Sequence, residues 1–154
     1  MKRLLSITNT APSNTMLVLR LGLSVVMFAH GAQKMLGIWG GHGIQETQVL
    51  WEKWFHIPPI LTLLFICMEF FSAVGLFLGL FTRICSIAVL LIMFSAVYFA
   101  HADHFYMNWY MEPSRSEGFE FHILISTMAI ALLMEGGGNR SLDQILYQRY
   151  KAKP

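Results

Sequence analysis

The chain has 154 residues, 55% of them hydrophobic and only 13% charged, and its formal net charge is +2. Charged residues usually reach about 25% in soluble domains, so a mean hydropathy of +0.52 excludes a water-soluble globular fold, and the small net charge excludes nucleic acid as a partner. Cys67 and Cys85 form no CxxC or CxxCH pattern, which excludes c-type haem attachment and a cysteine-built zinc or iron–sulfur centre.

The start, Met1-Lys2-Arg3, is basic like the opening of a signal peptide. The apolar segment behind it carries Arg20, His30 and Lys34 and is followed by no A-x-A-like cleavage site, so it reads as a retained helix. A bilayer core about 30 Å thick needs about 20 mostly apolar helical residues. Four stretches fit, predicting spans over residues 16–36, 60–80, 84–100 and 119–134 of a single membrane domain, 1–154. The expected fold is therefore all-α, an integral membrane four-helix bundle in contact with lipid.

Residues 37–59 read as a connection rich in aromatics (Trp39, Trp51, Trp54, Phe55), closed by Pro58-Pro59. Residues 101–118 form a second, with Phe105, Tyr106, Trp109 and Tyr110. Tryptophan and tyrosine favour the headgroup layer, which places both connections on the outer membrane surface. Lys2, Arg3, Arg83, Arg140, Arg149, Lys151 and Lys153 fall on the opposite side from Lys34, Lys53 and Arg115, so both termini are expected in the cytoplasm. Ser141-Leu142-Asp143-Gln144 has a capping-box pattern. It predicts a helix over 141–151 that lays Leu142, Ile145, Leu146 and Tyr150 on the cytoplasmic surface beside Arg149 and Lys151. Helix contacts are expected at Ser72, Gly75 and Gly79, with Gly75-x-x-x-Gly79 admitting a neighbouring backbone, at Ala88 and Ser95, and at the stripe Glu120, Thr127, Ala131.

Ionisable residues inside a span cost about 2.5–3.5 kcal/mol each at its centre and mark function by default. Glu69 lies too deep to reach water, so it needs a basic partner or a proton-transfer role; a neutral acid hydrogen-bonded between helices is the plain alternative. His30 and Lys34 stand one turn apart on one face. Lys34 taken alone is expected to snorkel outward, while His30 suits proton exchange or a hydrogen-bonded core position. His101 and His104, at i, i+3, resemble half of a metal site, but such a pair at a helix end is more often simply solvated, and no metal is assigned. Glu120 and His122 project about 160° apart, and the Thr127–Ala131 stripe favours Glu120 as the inward one. Arg20 and Arg83 read as orientation and lipid-headgroup contacts. Four helices would then enclose an outward-facing polar pocket under an aromatic lid. Its suggested chemistry is proton-coupled redox at a quinone or quinol head, with His30, Glu69 and Glu120 managing protons and Lys34, His101 and His104 holding the head group; a bound cofactor or a small polar ligand fits the pocket equally.

Several blocks, taken in order, resemble the DoxX family: Arg20-Leu21-Gly22, His30-Gly31-x-x-Lys34, Glu69 through Gly75, Gly79, Thr82-Arg83, His101, Gly118-Phe119-Glu120-Phe121, and Gly136-Gly137-Gly138-Asn139-Arg140-Ser141-Leu142-Asp143. The resemblance implies a four-helix protein of the bacterial cytoplasmic membrane, of a kind described as quinol-oxidase-like or thiosulfate:quinone oxidoreductase subunits. A partner protein or a bound cofactor would carry the electrons, since the sequence shows no carrier of its own. Gly137 stands where the family commonly has proline, which is expected to loosen that corner. The competing readings are a non-catalytic anchor or assembly subunit for a partner oxidoreductase, haem b held by His30 and His101, and a proton-coupled small-solute transporter that would need a homo-oligomer.

Overall fold

Ser13 stops the chain from continuing a helix backwards: its hydroxyl accepts from Met16 N at 3.3 Å and caps the first helix, α1 (Asn14–Leu36). The computed structural model describes residues 7–109, 111 and 116–151. Lys2, Arg3, Tyr110, Arg115 and Lys153, used above, lie outside the described residues, as does the side chain of Tyr150. After α1 come α2 (Gly43–Phe55), α3 (Pro59–Leu78), α4 (Thr82–Ala96) running into a π-helical turn (Val97–His101), α5 (Glu120–Glu135) and α6 (Leu142–Lys151), with no strand among the described residues.

Helices α1, α3 and α4 with its π turn are long and apolar enough to cross a membrane. Helix α5 has 16 residues and falls just short of that length. All four contribute to one core, from Leu23 and Met27 through Ala73 and Leu76, Val89, Ile92 and Met93, to Ile125, Ala129 and Leu132. Their opposite faces carry Val18, Ile60, Phe71, Phe94 and Leu124, each at least 60% exposed. At about 25 cal/mol per Å², such a girdle is intolerable in water and natural in hydrocarbon.

One expectation about helix faces changes. The inward stripe of α5 is His122, Ile125, Ala129 and Leu132, not Glu120, Thr127 and Ala131. Thr127 can face outward because its hydroxyl is satisfied within the helix, donating to Ile123 O at 2.8 Å. Gly75 makes room for the Cys85 sulfur, 2.5 Å from where a Cβ would stand, and for the backbone oxygen of Leu80 at 3.2 Å. Gly79 ends α3 at φ +64, a conformation that favours glycine, and is pressed against Ser141. The 37–59 connection, read as a surface loop, contains α2, which presents Thr47, Leu50, Trp51 and Trp54 to a cavity beneath it. Gln48 ties it down, donating to Pro59 O at 2.9 Å.

At the end where α3 stops and α4 starts, the polar residues form a knot. The last carbonyls of a helix lack intrahelical partners, and hydrocarbon offers none. Arg20, 1% exposed, supplies them: it donates to Leu76 O at 2.9 Å, Phe77 O at 2.7 Å and Gly137 O at 3.1 Å. Arg83 does the same for α5, donating to Leu133 O, and also reaches Asn9 O. Both arginines are therefore helix clamps rather than headgroup contacts. The Asp143 carboxylate accepts from Phe81 N and Thr82 N at 2.8 Å each and caps α4. The predicted cap at Ser141 is present, its hydroxyl accepting from Gln144 N at 3.1 Å. Far from loosening this corner, Gly137 is buried in it, with Thr82 Oγ1 and the Ser141 side chain 2.7 and 2.9 Å from where a Cβ would stand.

Candidate functional site

The site begins with a glycine. A Cβ on Gly31 would lie 2.9 Å from Phe70 Cα and 3.2 Å from the Glu69 carbonyl carbon, so α1 and α3 touch backbone to backbone there. The two helices are antiparallel, since Arg20 near the start of α1 meets Phe77 near the end of α3. Helical side chains lean toward their own N-terminus. Lys34, one turn past Gly31, therefore leans back along α1, while Glu69 leans the opposite way along α3, and they meet. Lys34 Nζ lies 3.0 and 2.9 Å from the two Glu69 oxygens, and its remaining donor points at His30 O, 3.4 Å away. The Glu69 side chain is 7% exposed and that of Lys34 25%. The outward snorkelling expected of Lys34 is thus corrected: the lean directions turn it inward to the basic-partner role that Glu69 required.

Substitution tests that geometry. Gly31→Ala forces α1 away from the α3 backbone, an overpacking cost of about 1–3 kcal/mol, and Gly31→Val costs more. The thermal midpoint in detergent should fall in that order, whereas Gly22→Ala, at a position with open space around it, should leave it unchanged.

His30, exposed on α1 one turn before Lys34, adjoins the pair through its carbonyl oxygen. His101 sits against His122 with ring centroids 4.6 Å apart. The contacts thus join Lys34 to Glu69 and His101 to His122. Glu120 and His104 stand apart. Glu120 Oε1 accepts from Met107 N at 3.0 Å and Trp109 Nε1 at 2.8 Å, which fastens the loop before α5. His104 O accepts from Phe119 N at 3.1 Å in the same loop. Sequence reasoning passed over His122, although its place at the head of the 122–125–129–132 apolar stripe was the signal for it. Among the described residues no three His, Cys, Asp or Glu side chains converge as a metal site.

Two hollows open along α1, and Lys34 lines one of them. One, of about 230 Å³, lies under α2 and is lined by Gln33, Lys34, His42, Thr47, Leu50, Trp51 and Trp54. The other, of about 380 Å³, is an apolar groove between α1 and α3 that includes Val25, Phe28, Ala29, Val74, Phe77 and Leu78. The turn Trp39-Gly40-Gly41 borders both. Trp39 adopts φ +53, a strained value for a residue with a bulky side chain, and its ring packs edge-on against Phe28 at 6.4 Å.

The family model for DoxX matches residues 15–102, more than half of the chain, including Arg20, Gly31, Lys34, Glu69 and His101. No curated protein and no solved structure matches the chain.

Proposed function

The chain belongs to the DoxX family and is a membrane protein, and on that premise we propose that it handles a quinone or quinol, with proton exchange, as a redox subunit of a bacterial cytoplasmic membrane. In this reading α5 is the fourth span, stretched to crossing length by Phe119 and the flanking loop. Arg83, Arg140, Arg149 and Lys151 mark the cytoplasmic side, and α2 covers the outer one.

The observation that carries the proposal is the Lys34–Glu69 pair standing beside a polar hollow that borders an apolar groove. The fit to a quinone is chemical. Trp51 and Trp54 offer flat faces to a ring, Lys34, Gln33 and Thr47 offer donors to its oxygens, and the groove suits an isoprenoid chain. Converting quinone to quinol takes two electrons and two protons. The electrons come from a partner oxidoreductase carrying a flavin or metal centre. The chain's own residues do the rest: Lys34 orients a ring oxygen, and Glu69 and His30 hold and release protons. Glu120 and the His104 carbonyl fasten the loop before α5. Haem is the weaker reading, because it would have to displace both the His122 ring from His101 and the contact of His101 Nδ1 with Glu117 O.

One observation favours the anchor reading: all three Lys34 donors already have protein acceptors, so the pair also serves as a weld between α1 and α3. Mass spectrometry of small molecules extracted from protein purified in mild detergent separates the two. Quinone should accompany the wild type and be depleted about tenfold in Thr47→Leu, which fills the hollow without touching the ion pair. Equal amounts in both, or none in either, would leave the anchor.

A further inference from the structure

The turn between α1 and α2 puts a tryptophan where glycine fits best. Gly37 and Gly40 stand at φ +68 and +77, where glycine is at ease, but Trp39 between them holds φ +53. A bulky side chain in that region is strained, and such strain persists where a site uses it. A third glycine would suit the backbone, so the side chain at position 39 has a task. Anchoring in the headgroup layer needs no strain, as the exposed Trp54 shows from an ordinary helical position.

Its place defines that task. Val25, Ala29 and Gln33 lie four residues apart and share one face of α1. Val25 and Ala29 line the apolar groove, and Gln33, one turn on, lines the polar hollow. The turn crosses that face at the boundary. Gly41 rests on the Gln33 backbone, with no room for a Cβ, and its N–H closes the turn by donating to Ile38 O at 3.0 Å. From this crossing the Trp39 ring lines the groove and packs edge-on against Phe28 at 6.4 Å, and Phe28 packs in turn on Phe70 at 5.4 Å. The Trp39 carbonyl points the other way and accepts from Gln33 Nε2 at 3.3 Å. One residue is thus a wall of the groove and is held by a side chain of the hollow.

We infer that Trp39 is a gate between groove and hollow, latched by Gln33, and that the hollow is entered sideways from lipid. The ligand class that such a route admits is an amphiphile with a flat polar head and a single apolar chain. Its head slides along the Val25–Ala29–Gln33 face once the Trp39 ring leaves Phe28. Its chain stays in the groove afterwards, against the exposed Val25, Phe77 and Leu78. Release of the Gln33 amide frees the turn, and Gly37 and Gly40 on either side of Trp39 supply the backbone freedom. The gate rests on the reading that the hollow binds a membrane-borne ligand, but not on that ligand being a quinone.

The test uses Thr47→Cys as a reporter in the hollow, in the full chain in lipid nanodiscs. Its alkylation is followed by peptide mass spectrometry, which separates it from Cys67 and Cys85. N-dodecylmaleimide, a flat dicarbonyl ring on an apolar chain, arrives from the bilayer, whereas N-ethylmaleimide also arrives from water. Adding Trp39→Ala should raise the ratio of dodecyl to ethyl rates at residue 47 by about tenfold or more, and adding Gln33→Met should raise it in the same direction. Where Trp39→Ala does not fold, Gln33→Met gives the reading alone. An unchanged ratio overturns the gate, including the case in which both rates rise together and the turn is only a flap toward water. No quinone enters this experiment, so a protein that carries none would remove the quinone reading and leave the gate standing.

Discussion

Arg20→Met should abolish the folded protein rather than weaken it. Methionine fills most of the volume but donates nothing, so Phe77 O and Gly137 O lose their contact at once, and Leu76 O keeps only Gly79 N. Each buried acceptor so stranded costs about 1–3 kcal/mol, and water cannot replace the guanidinium below the membrane surface. A combined loss on the order of 4 kcal/mol or more exceeds what most single substitutions do. Arg20→Lys should recover little, because an ammonium cannot span the ends of α3 and the Gly136–Gly138 turn as a planar fork does. Arg149→Met, on the exposed side of α6, is the matched control. The yield of monodisperse protein on size-exclusion chromatography reads all three, and a normal elution profile for Arg20→Met would show that the knot is dispensable.

The second large effect is asymmetric. Lys34→Met leaves a carboxylate 7% exposed with no counter-charge, and breaking a buried pair from one side costs about 3–5 kcal/mol. Adding Glu69→Gln to Lys34→Met removes the stranded charge and should restore much of the lost stability. Thermal unfolding of the two single variants and the double variant in one detergent gives the coupling directly. Additive losses would mean that Lys34 and Glu69 do not depend on each other, and the site would have no centre.

Much of the helical framework was legible because lipid imposes hydropathy so strictly. Spans read as 16–36, 60–80 and 84–100 appear as the apolar helices Asn14–Leu36, Pro59–Leu78 and Thr82–His101, whereas the stretch 119–134 appears as a helix, Glu120–Glu135, short of crossing length. The need of Glu69 for a basic partner was legible too, since the cost of a lone charge at that depth admits few solutions. Its partner was not. Lys34 judged alone has a short route to the surface, and only the antiparallel pairing of α1 with α3 reveals that both side chains lean toward each other. Arg20 and Arg83 were misread for a similar reason: nothing local says that the carbonyl ends of α3 and α5 come within reach of them. Helix α2 was hidden by its own tryptophans, whose number drew attention to the headgroup layer and away from the helical spacing of Thr47, Leu50, Trp51 and Trp54. The choice of Glu120 over His122 followed small polar residues, whereas α5 turns its bulkier apolar stripe to the core and lets Thr127 bond to its own backbone. The π turn at Val97–His101 leaves no mark in composition or periodicity.

Redox-difference infrared spectroscopy of the quinone-loaded protein in bilayers bears most directly on the proposed chemistry. Reducing the quinone should change a carboxyl band in the wild type, and that change should vanish in Glu69→Gln while the quinone's own bands remain. Identical difference spectra from the two proteins would mean that Glu69 takes no part, and the pair it forms with Lys34 would be structural.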